Sequence, residues 1–188
     1  CMVVMMASCS RSEYKNAIPA DAPVVMELDV KDVIKKSDFL AHKGEIADAI
    51  ESIDDDPALQ QIAEMLRGTD DFGLDFFSPM YVYLLPSLDD GCFLASVRNR
   101  SEFVEKMTSL SNLVKFKESD GISWLCYDDA VLGAVTKRHL LIGSANDKDV
   151  YRDLLEQSGD ECFFASEAGK FMNSKAGDLT LSVNMDAM

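Results

Sequence analysis

The spacing of hydrophobic residues predicts that the first third of the chain is a strand followed by helices. Every second residue over 24–30 is apolar, which predicts a half-buried strand. Apolar residues then recur every three or four positions, which is typical of amphipathic helices. The most clearly delimited of these helices has Asp56 at its N-cap, Pro57 at its first position and Gly68 just beyond its end.

From residue 80 the apolar period becomes two, which indicates paired strands. Residues 80–85 and 92–97 lie on either side of Asp89-Asp90-Gly91, and this turn signal predicts a hairpin. In the helix that follows, Asn99 and Glu102 are spaced like a capping box.

The rest of the chain predicts a strand meander, two helices and a last strand. The meander strands are expected near 114–118, 122–127, 130–136 and 139–143. One helix is expected to begin at Asn146 and a shorter one to span 165–173, before a last strand over 179–185. Runs of hairpin strands separated by helices, without β-α-β alternation, predict an α+β fold. We expect an antiparallel sheet with helices packed mainly on one face.

The last strand has the same pattern as the first. Leu179, Leu181 and Val183 alternate with polar residues as the apolar positions of 24–30 do, at an offset of 155 residues from position 24 to position 179. Residues 179–188 are therefore either the closing strand of the sheet or the start of a second repeat.

The amino terminus predicts a lipid anchor. Residues 1–7 are an unbroken apolar run, and the chain becomes polar directly after Cys9. Met6-Ala7-Ser8-Cys9 resembles the lipobox of bacterial lipoprotein signal peptides, in which an apolar residue and two small residues precede the cysteine. The thiol of that cysteine accepts a diacylglycerol, and each buried methylene contributes about 0.8 kcal/mol to membrane binding. Cys9 is therefore the predicted lipid attachment site.

This interpretation divides the chain into four segments. Residues 1–8 are the end of a signal peptide that is truncated at its start, because a complete one has roughly 15–30 residues and a basic beginning. Residues 9–22 are predicted to be a lipidated tether outside the fold, residues 23–178 the α+β domain, and residues 179–188 the closing strand or repeat.

Two segments resemble a group of Bacteroides-type envelope lipoproteins of unknown function. They run from Cys9 to Tyr14 and on through Ile18-Pro19-Ala20-Asp21-Ala22-Pro23-Val24-Val25 to Asp29, and from Gly73 to Tyr83. The resemblance implies an envelope location and a longer chain, and it implies no activity. In such proteins, acidic residues directly after the cysteine favour surface display. Ser10-Arg11-Ser12-Glu13 lacks that run, which implies a periplasm-facing protein in the outer membrane.

Charge excludes some partners. The chain has 33 acidic and 18 basic residues, a net charge of -15, and 47% hydrophobic residues, which is an ordinary value for a globular protein. Such a surface repels the phosphates of nucleic acids and gains no attraction to anionic lipids. Membrane attachment is therefore expected through the N-terminal lipid alone.

The cysteines and histidines match no metal-binding or nucleophile motif. The five cysteines form no CxxC pair and accompany only two histidines, so no zinc spacing exists. Outside the first nine residues, Cys92, Cys126 and Cys162 either form one disulfide or are buried free thiols. His42 and His139 are not near a Gly-x-Ser-x-Gly motif, and we expect both to be solvated surface residues.

Adjacent aspartates could indicate calcium, but we interpret them as caps and turns, because calcium ligands usually occupy alternate loop positions. They are Asp54-Asp55-Asp56, Asp70-Asp71, Asp89-Asp90 and Asp128-Asp129. The sequence thus predicts no catalytic residue, no cofactor and no metal site.

Aromatic residues on the strands could instead bind a ligand. Tyr81 and Tyr83 share one strand face and Trp124 lies on another strand, so these rings either stack sugars or pack beneath helices. The strand over 122–127 is apolar on both faces, which is expected where both faces are covered. We expect a missing C-terminal part to cover the second face, so this chain alone should expose apolar surface.

Together these features predict a non-enzymatic envelope lipoprotein whose body binds a protein or glycan partner. The alternatives are an envelope hydrolase with catalytic residues in the missing part of the chain, and a purely structural spacer.

Overall fold

The chain folds around one antiparallel sheet. The computed structural model describes residues 13–36, 39–52, 60, 63, 67, 72–87, 89–110, 114–175 and 177–185, and within them the sheet has eight strands. In chain order these are β1 (Val24–Leu28), β2 (Met80–Leu84), β3 (Gly91–Ser96), β4 (Val114–Ser119), β5 (Ile122–Tyr127), β6 (Ala130–Val135), β7 (His139–Gly143) and β8 (Leu179–Val183). Across the sheet they lie in the order β4-β5-β6-β7-β3-β2-β1-β8, with every neighbouring pair antiparallel. The predicted α+β fold is confirmed.

The described α-helices lie between these strands in the chain, and one 3₁₀ helix precedes β1. They are α1 (Val30–Lys36), α2 (Phe39–Glu51), α3 (Arg100–Leu110), α4 (Lys148–Glu156) and α5 (Glu167–Asn173), with a first 3₁₀ helix (Glu13–Ala17) and a second (Phe163–Ala165). Residues 60, 63 and 67 are also helical, but the bounds and the Asp56 cap of that predicted helix lie outside the described residues.

Two predicted helix starts can be compared with the structure. The Asn99 side-chain oxygen accepts the Glu102 backbone N–H at 3.3 Å, so the predicted cap of α3 is confirmed. α4 was predicted to begin at Asn146 and begins two residues later, at Lys148. Asp147 caps this helix, whereas the Asn146 side-chain oxygen accepts the backbone N–H of Val131 at 2.8 Å.

The predicted hairpin and meander are confirmed, with small shifts at their ends. β2 pairs with β3, and β4 to β7 follow one another across the sheet. The first strand ends at Leu28 rather than at residue 30, because the Asp29 carboxylate accepts the Asp32 backbone N–H at 3.1 Å and so caps α1.

The two faces of the sheet carry separate cores. One core joins large side chains of the central strands to the two 3₁₀ helices, α4 and α5: it includes Tyr81, Leu94, Trp124, Leu141, Tyr14, Tyr151, Phe163 and Met172. On the opposite face, Phe103 of α3 packs with Ala95, Val135 and Leu140. Most of the packed helices therefore lie on one face, as predicted, while α3 covers part of the other.

The predicted tether over residues 9–22 is wrong from Glu13 onwards. Tyr14 and Ile18 are fully buried in the core beneath the first 3₁₀ helix. The Tyr14 hydroxyl donates to the Pro79 carbonyl at 2.6 Å, and Glu13 forms an ion pair with Arg138. This segment is part of the folded body because its apolar residues fill the space above β2. The lipid attachment site, Cys9, lies outside the described residues.

β8 lies at one edge of the sheet and pairs only with β1 among the described strands. On one face of this edge, Leu179 and Leu181 are each 61% exposed and Val183 is 47% exposed, and Val82 of β2 is 42% exposed. The expected exposed apolar surface is therefore present, and it is concentrated on the last three strands of this edge.

Candidate ligand-binding cleft

A cleft of about 560 Å³ lies beside the first 3₁₀ helix. Lys15 and Asn16 of that helix line one side, while Lys170 and Asn173 of α5 line another. Phe164 of the second 3₁₀ helix and Asp160 of the preceding loop complete the polar and aromatic lining.

Backbone hydrogen bonds hold the two sides of the cleft together. The Phe163 N–H donates to the Ile18 carbonyl at 2.7 Å, and the Ala20 N–H donates to the Glu161 carbonyl at 3.2 Å. The Gln157 side-chain amide donates to the same two carbonyls, of Ile18 at 3.3 Å and Glu161 at 2.7 Å. The amino-terminal segment is thus fixed against the loop before the second 3₁₀ helix.

α5 is held against the second 3₁₀ helix by a cap and a close backbone approach. The Ser166 hydroxyl oxygen accepts the Gly169 N–H at 3.1 Å. A side chain at position 169 would place its Cβ 2.1 Å from the Phe163 carbonyl oxygen, so only glycine fits there. This contact fixes the helix that carries Lys170 and Asn173.

The Lys15 ammonium group is partly withdrawn from water. Its Nζ lies 4.9 Å from the centre of the Phe164 ring and 5.5 Å from that of Tyr81. Burial lowers the pKa of Lys15, and the negative charge of Glu27 opposes that shift. The ammonium group remains the cation that a ligand in the cleft would meet, and it has less hydration to lose on binding than an exposed lysine has.

None of the three aromatic residues that the sequence offered as a ligand site lines the cleft. Tyr81, Tyr83 and Trp124 are fully buried, so they cannot stack on a sugar in this structure. The Tyr83 hydroxyl donates to the Ala17 carbonyl at 2.7 Å and thereby supports the first 3₁₀ helix. The alternative interpretation, that these rings pack beneath helices, is the correct one.

The two histidines lie apart. His42 is exposed and its Nδ1 lies 3.1 Å from Glu45. His139, predicted to be a solvated surface residue, is instead partly buried, and burial together with Arg138 lowers its pKa to about 4. The Thr136 hydroxyl accepts the backbone N–H groups of Arg138 and His139 and lies 2.9 Å from the His139 Nδ1. This arrangement stabilises the turn between β6 and β7.

The described aspartate pairs have turn roles. Asp128 has a positive φ of 52° in the β5–β6 turn. Asp90 accepts the Ser144 hydroxyl at 2.8 Å through its carboxylate, and its carbonyl accepts the Leu85 N–H. No group of three or more potential metal ligands occurs within the described ranges. Asp54-Asp55-Asp56 and Asp70-Asp71 lie outside them.

Cys92, Cys126 and Cys162 are buried free thiols, which decides between the two alternatives. Burial raises the pKa of Cys92 to about 11, which disfavours its reactive thiolate.

In the part of the chain that the structure covers, no helix is long and apolar enough to cross a membrane.

Sequence reasoning missed the cleft because it placed Lys15 and Asn16 in a free tether. One signal was available: Tyr14, Ala17 and Ile18 have the i, i+3, i+4 spacing of a helical apolar face. The cleft also needs the segment around Lys170, and nothing local in the sequence connects the two.

Comparison with known proteins yields only a partial likeness to solved structures. No family model and no curated protein matches the chain. Among solved structures, crystal form III of TP0453, a Treponema protein, is 11% identical with a TM-score of 0.45, covering 74% of this chain and 50% of that one. Crystal form I is 11% identical with a TM-score of 0.43, covering 79% and 52%. The chain thus spans about half the length of the structures it matches.

Proposed function

We propose that this chain is a non-enzymatic lipoprotein of the bacterial envelope, whose body binds an acidic glycan in the cleft between the first 3₁₀ helix and α5. The observation that carries the proposal is the presence of Lys15 and Lys170 in one cleft of a chain whose net charge is -15. Two ammonium groups there attract a carboxylate in spite of the negative net charge of the chain.

The other lining residues are suited to a sugar. The Asn16 and Asn173 carboxamides both donate and accept hydrogen bonds, and the Asp160 carboxylate accepts them from hydroxyl groups. The Phe164 ring offers an apolar surface at the same site. A uronic acid presents a carboxylate, hydroxyls and an apolar ring face, so its groups match this set.

The proposed anchor places the cleft near the bilayer. Cys9, as the lipidated residue, precedes Lys15 by six residues, a stretch that spans at most roughly 22 Å when fully extended. Ser10-Arg11-Ser12-Glu13 lacks an acidic run, which supports a periplasm-facing orientation in the outer membrane, as in the Bacteroides-type lipoproteins that the chain resembles. A ligand bound in the cleft would therefore lie close to the membrane surface.

Calorimetric titration with a uronic-acid oligomer tests the cleft, with a neutral oligomer of the same length for comparison. We expect binding of the acidic oligomer alone, weakened at least about tenfold when Lys15→Gln and Lys170→Gln are combined, because each lost charge-assisted hydrogen bond contributes about 1.5–3 kcal/mol. Lys117→Gln, an exposed position on β4, is the matched control. Equal affinity in the double variant and the control would rule out the cleft as the site.

Fatty-acid labelling of cells tests the anchor separately. Cys9→Ser in the chain with its natural signal peptide should abolish the label and release the protein from the membrane fraction, because no basic surface replaces the acyl chains. Cys92→Ser, which alters a buried thiol, should retain both properties. Undiminished labelling of the Cys9 variant would contradict the proposed anchor.

A further inference from the structure

The pairing of β8 with β1 has the register of a two-fold axis. The sequence pattern makes Val24, Met26 and Leu28 equivalent to Leu179, Leu181 and Val183, respectively. In the structure, Met26 lies opposite Leu181, its own equivalent. Val24 lies opposite Val183 and Leu28 opposite Leu179, so each end residue pairs with the equivalent of the opposite end. Two copies of one strand related by a two-fold axis would pair in this way.

The hydrogen bonds that close the two ends of this strand pair follow the same relation. The Asp29 N–H donates to the Asp178 carbonyl at 2.9 Å, and the Asn184 N–H donates to the Pro23 carbonyl at 2.7 Å. Asp29 and Asn184 are equivalent positions, and so are Pro23 and Asp178. Both bonds continue the antiparallel ladder of β1 and β8, and the two-fold axis exchanges one with the other.

The elements around the two strands also correspond. After β1, Asp29 caps α1, which begins at Val30. After β8, the residue equivalent to Val30 is Met185, and it has 3₁₀-helical conformation. A short helix also precedes each strand: Glu13–Ala17 before β1 and Glu167–Asn173 before β8. Around both β1 and β8, a short helix therefore precedes the strand, and an Asp or Asn followed by helical backbone comes after it.

We propose that β8 is the first strand of a second domain of the same fold, which packs against this one about the two-fold axis between β1 and β8. In the first domain, β1 is flanked by β2 through the pairs Val25–Tyr83 and Glu27–Tyr81. The equivalent strand of the second domain would pair with the outer edge of β8, opposite Thr180 and Ser182. Such pairing would satisfy an exposed strand edge that is otherwise open to association.

The exposed apolar side chains fit this occupant. Leu179, Leu181 and Val183 are 47–61% exposed, whereas their equivalents in β1 have strands on both sides and are less exposed. Val82 lies next to Met26 on the same face, so the apolar surface continues from β8 across β1 to β2. A domain related by the two-fold axis would bring its own equivalent of Val82 to the same surface.

Hydrogen–deuterium exchange on the native protein extracted from membranes tests this proposal. We expect an intact mass well above that of the 188-residue chain, and slow exchange throughout Leu179–Val183. The isolated 188-residue chain should be a monomer in which part of this strand exchanges quickly. In the native protein Leu181→Asp should lower the melting temperature by several degrees, whereas Phe171→Asp, at a 65% exposed position on α5, should not.

Three results would overturn the proposal. They are a native protein that ends near Met188, fast exchange at the outer edge of β8 in the native protein, and dimers of the 188-residue chain that Leu181→Asp dissociates. The last result would identify a second copy of the chain as the occupant.

Discussion

Replacement of Ile18 by alanine tests whether the amino-terminal segment belongs to the folded core. Ile18 is fully buried, and the substitution removes three carbon atoms from its side chain. At about 0.8 kcal/mol for each buried methylene, the lost transfer free energy is about 2.4 kcal/mol, and the cavity raises the total to about 3–4 kcal/mol. For a chain of this size that corresponds to a melting temperature lower by roughly 6–16 °C.

Ile46→Ala is the matched control, because Ile46 lies on α2 and is 37% exposed. We expect it to cost less than about 1 kcal/mol, since the side chain keeps much of its contact with water and alanine favours a helix. Urea unfolding can be followed by the fluorescence of Trp124, the single tryptophan, which is fully buried. If the two variants lose the same small amount of stability, residues 13–22 are a tether after all.

Further predictions concern a partly buried histidine, two glycines and the thiols. The His139 pKa of about 4 lies below its usual value of 6.5, so unfolding takes up a proton between these pH values. Stability contributed by neutral His139 is complete above pH 6.5 and is lost as the pH falls to 4, by up to about 1.4 kcal/mol per unit. His139→Gln should reduce this slope in urea unfolding, and an unchanged slope would contradict the shift. Gly133→Ala should cost about 1–3 kcal/mol, because its Cβ would lie 2.2 Å from the Leu141 carbonyl oxygen. A Cβ at Gly44 in α2 meets open space, so Gly44→Ala should instead stabilise the protein by about 0.5–1 kcal/mol. If calorimetry shows that both substitutions shift the melting temperature in the same direction, the close contact at Gly133 is refuted. With Cys1 and Cys9 replaced by serine, a thiol reagent should modify no cysteine quickly before denaturation and three after it; one fast thiol in the folded protein would show that a buried cysteine is accessible.

The features that the sequence predicted well depend on nearby residues. The β2–β3 hairpin and the meander follow from period-two patterns joined by short turns. In the β4–β5 turn, Asp120 and Gly121 have positive φ values of 55° and 77°, a conformation that this dipeptide favours. Such signals act within a few residues, so a sequence pattern is enough to detect them.

The features that the sequence did not predict depend on distant contacts. Tyr14 is buried in a core of distant residues, and its hydroxyl donates to the carbonyl of Pro79, 65 residues further along the chain. His139 is partly buried by its position within the sheet, although its neighbours Lys137 and Arg138 are exposed. The cleft combines the first 3₁₀ helix with α5, elements at opposite ends of the chain. A local pattern does not specify which of these segments will meet.

The packed amino terminus makes the proposed tether short, and this has a measurable consequence. If the folded body begins at Glu13, only the four residues from Cys9 separate it from the lipid, and they span at most about 14 Å. A tether over residues 9–22 would instead reach roughly 45 Å. A twelve-residue Gly/Ser spacer inserted before Glu13 adds a flexible length of about 19 Å, which more than doubles the reach of the short tether.

Energy transfer from Trp124 to an acceptor on the lipid headgroups measures this distance in vesicles that carry the lipidated protein. We expect the spacer to lower the transfer efficiency clearly, because it lets a body that is otherwise held near the bilayer move away. If the tether were already long, the spacer would change the mean distance between the folded body and the bilayer only a little. Equal transfer efficiency with and without the spacer, in protein whose lipidation is confirmed by mass, would therefore refute the short tether even if Cys9 is the anchor.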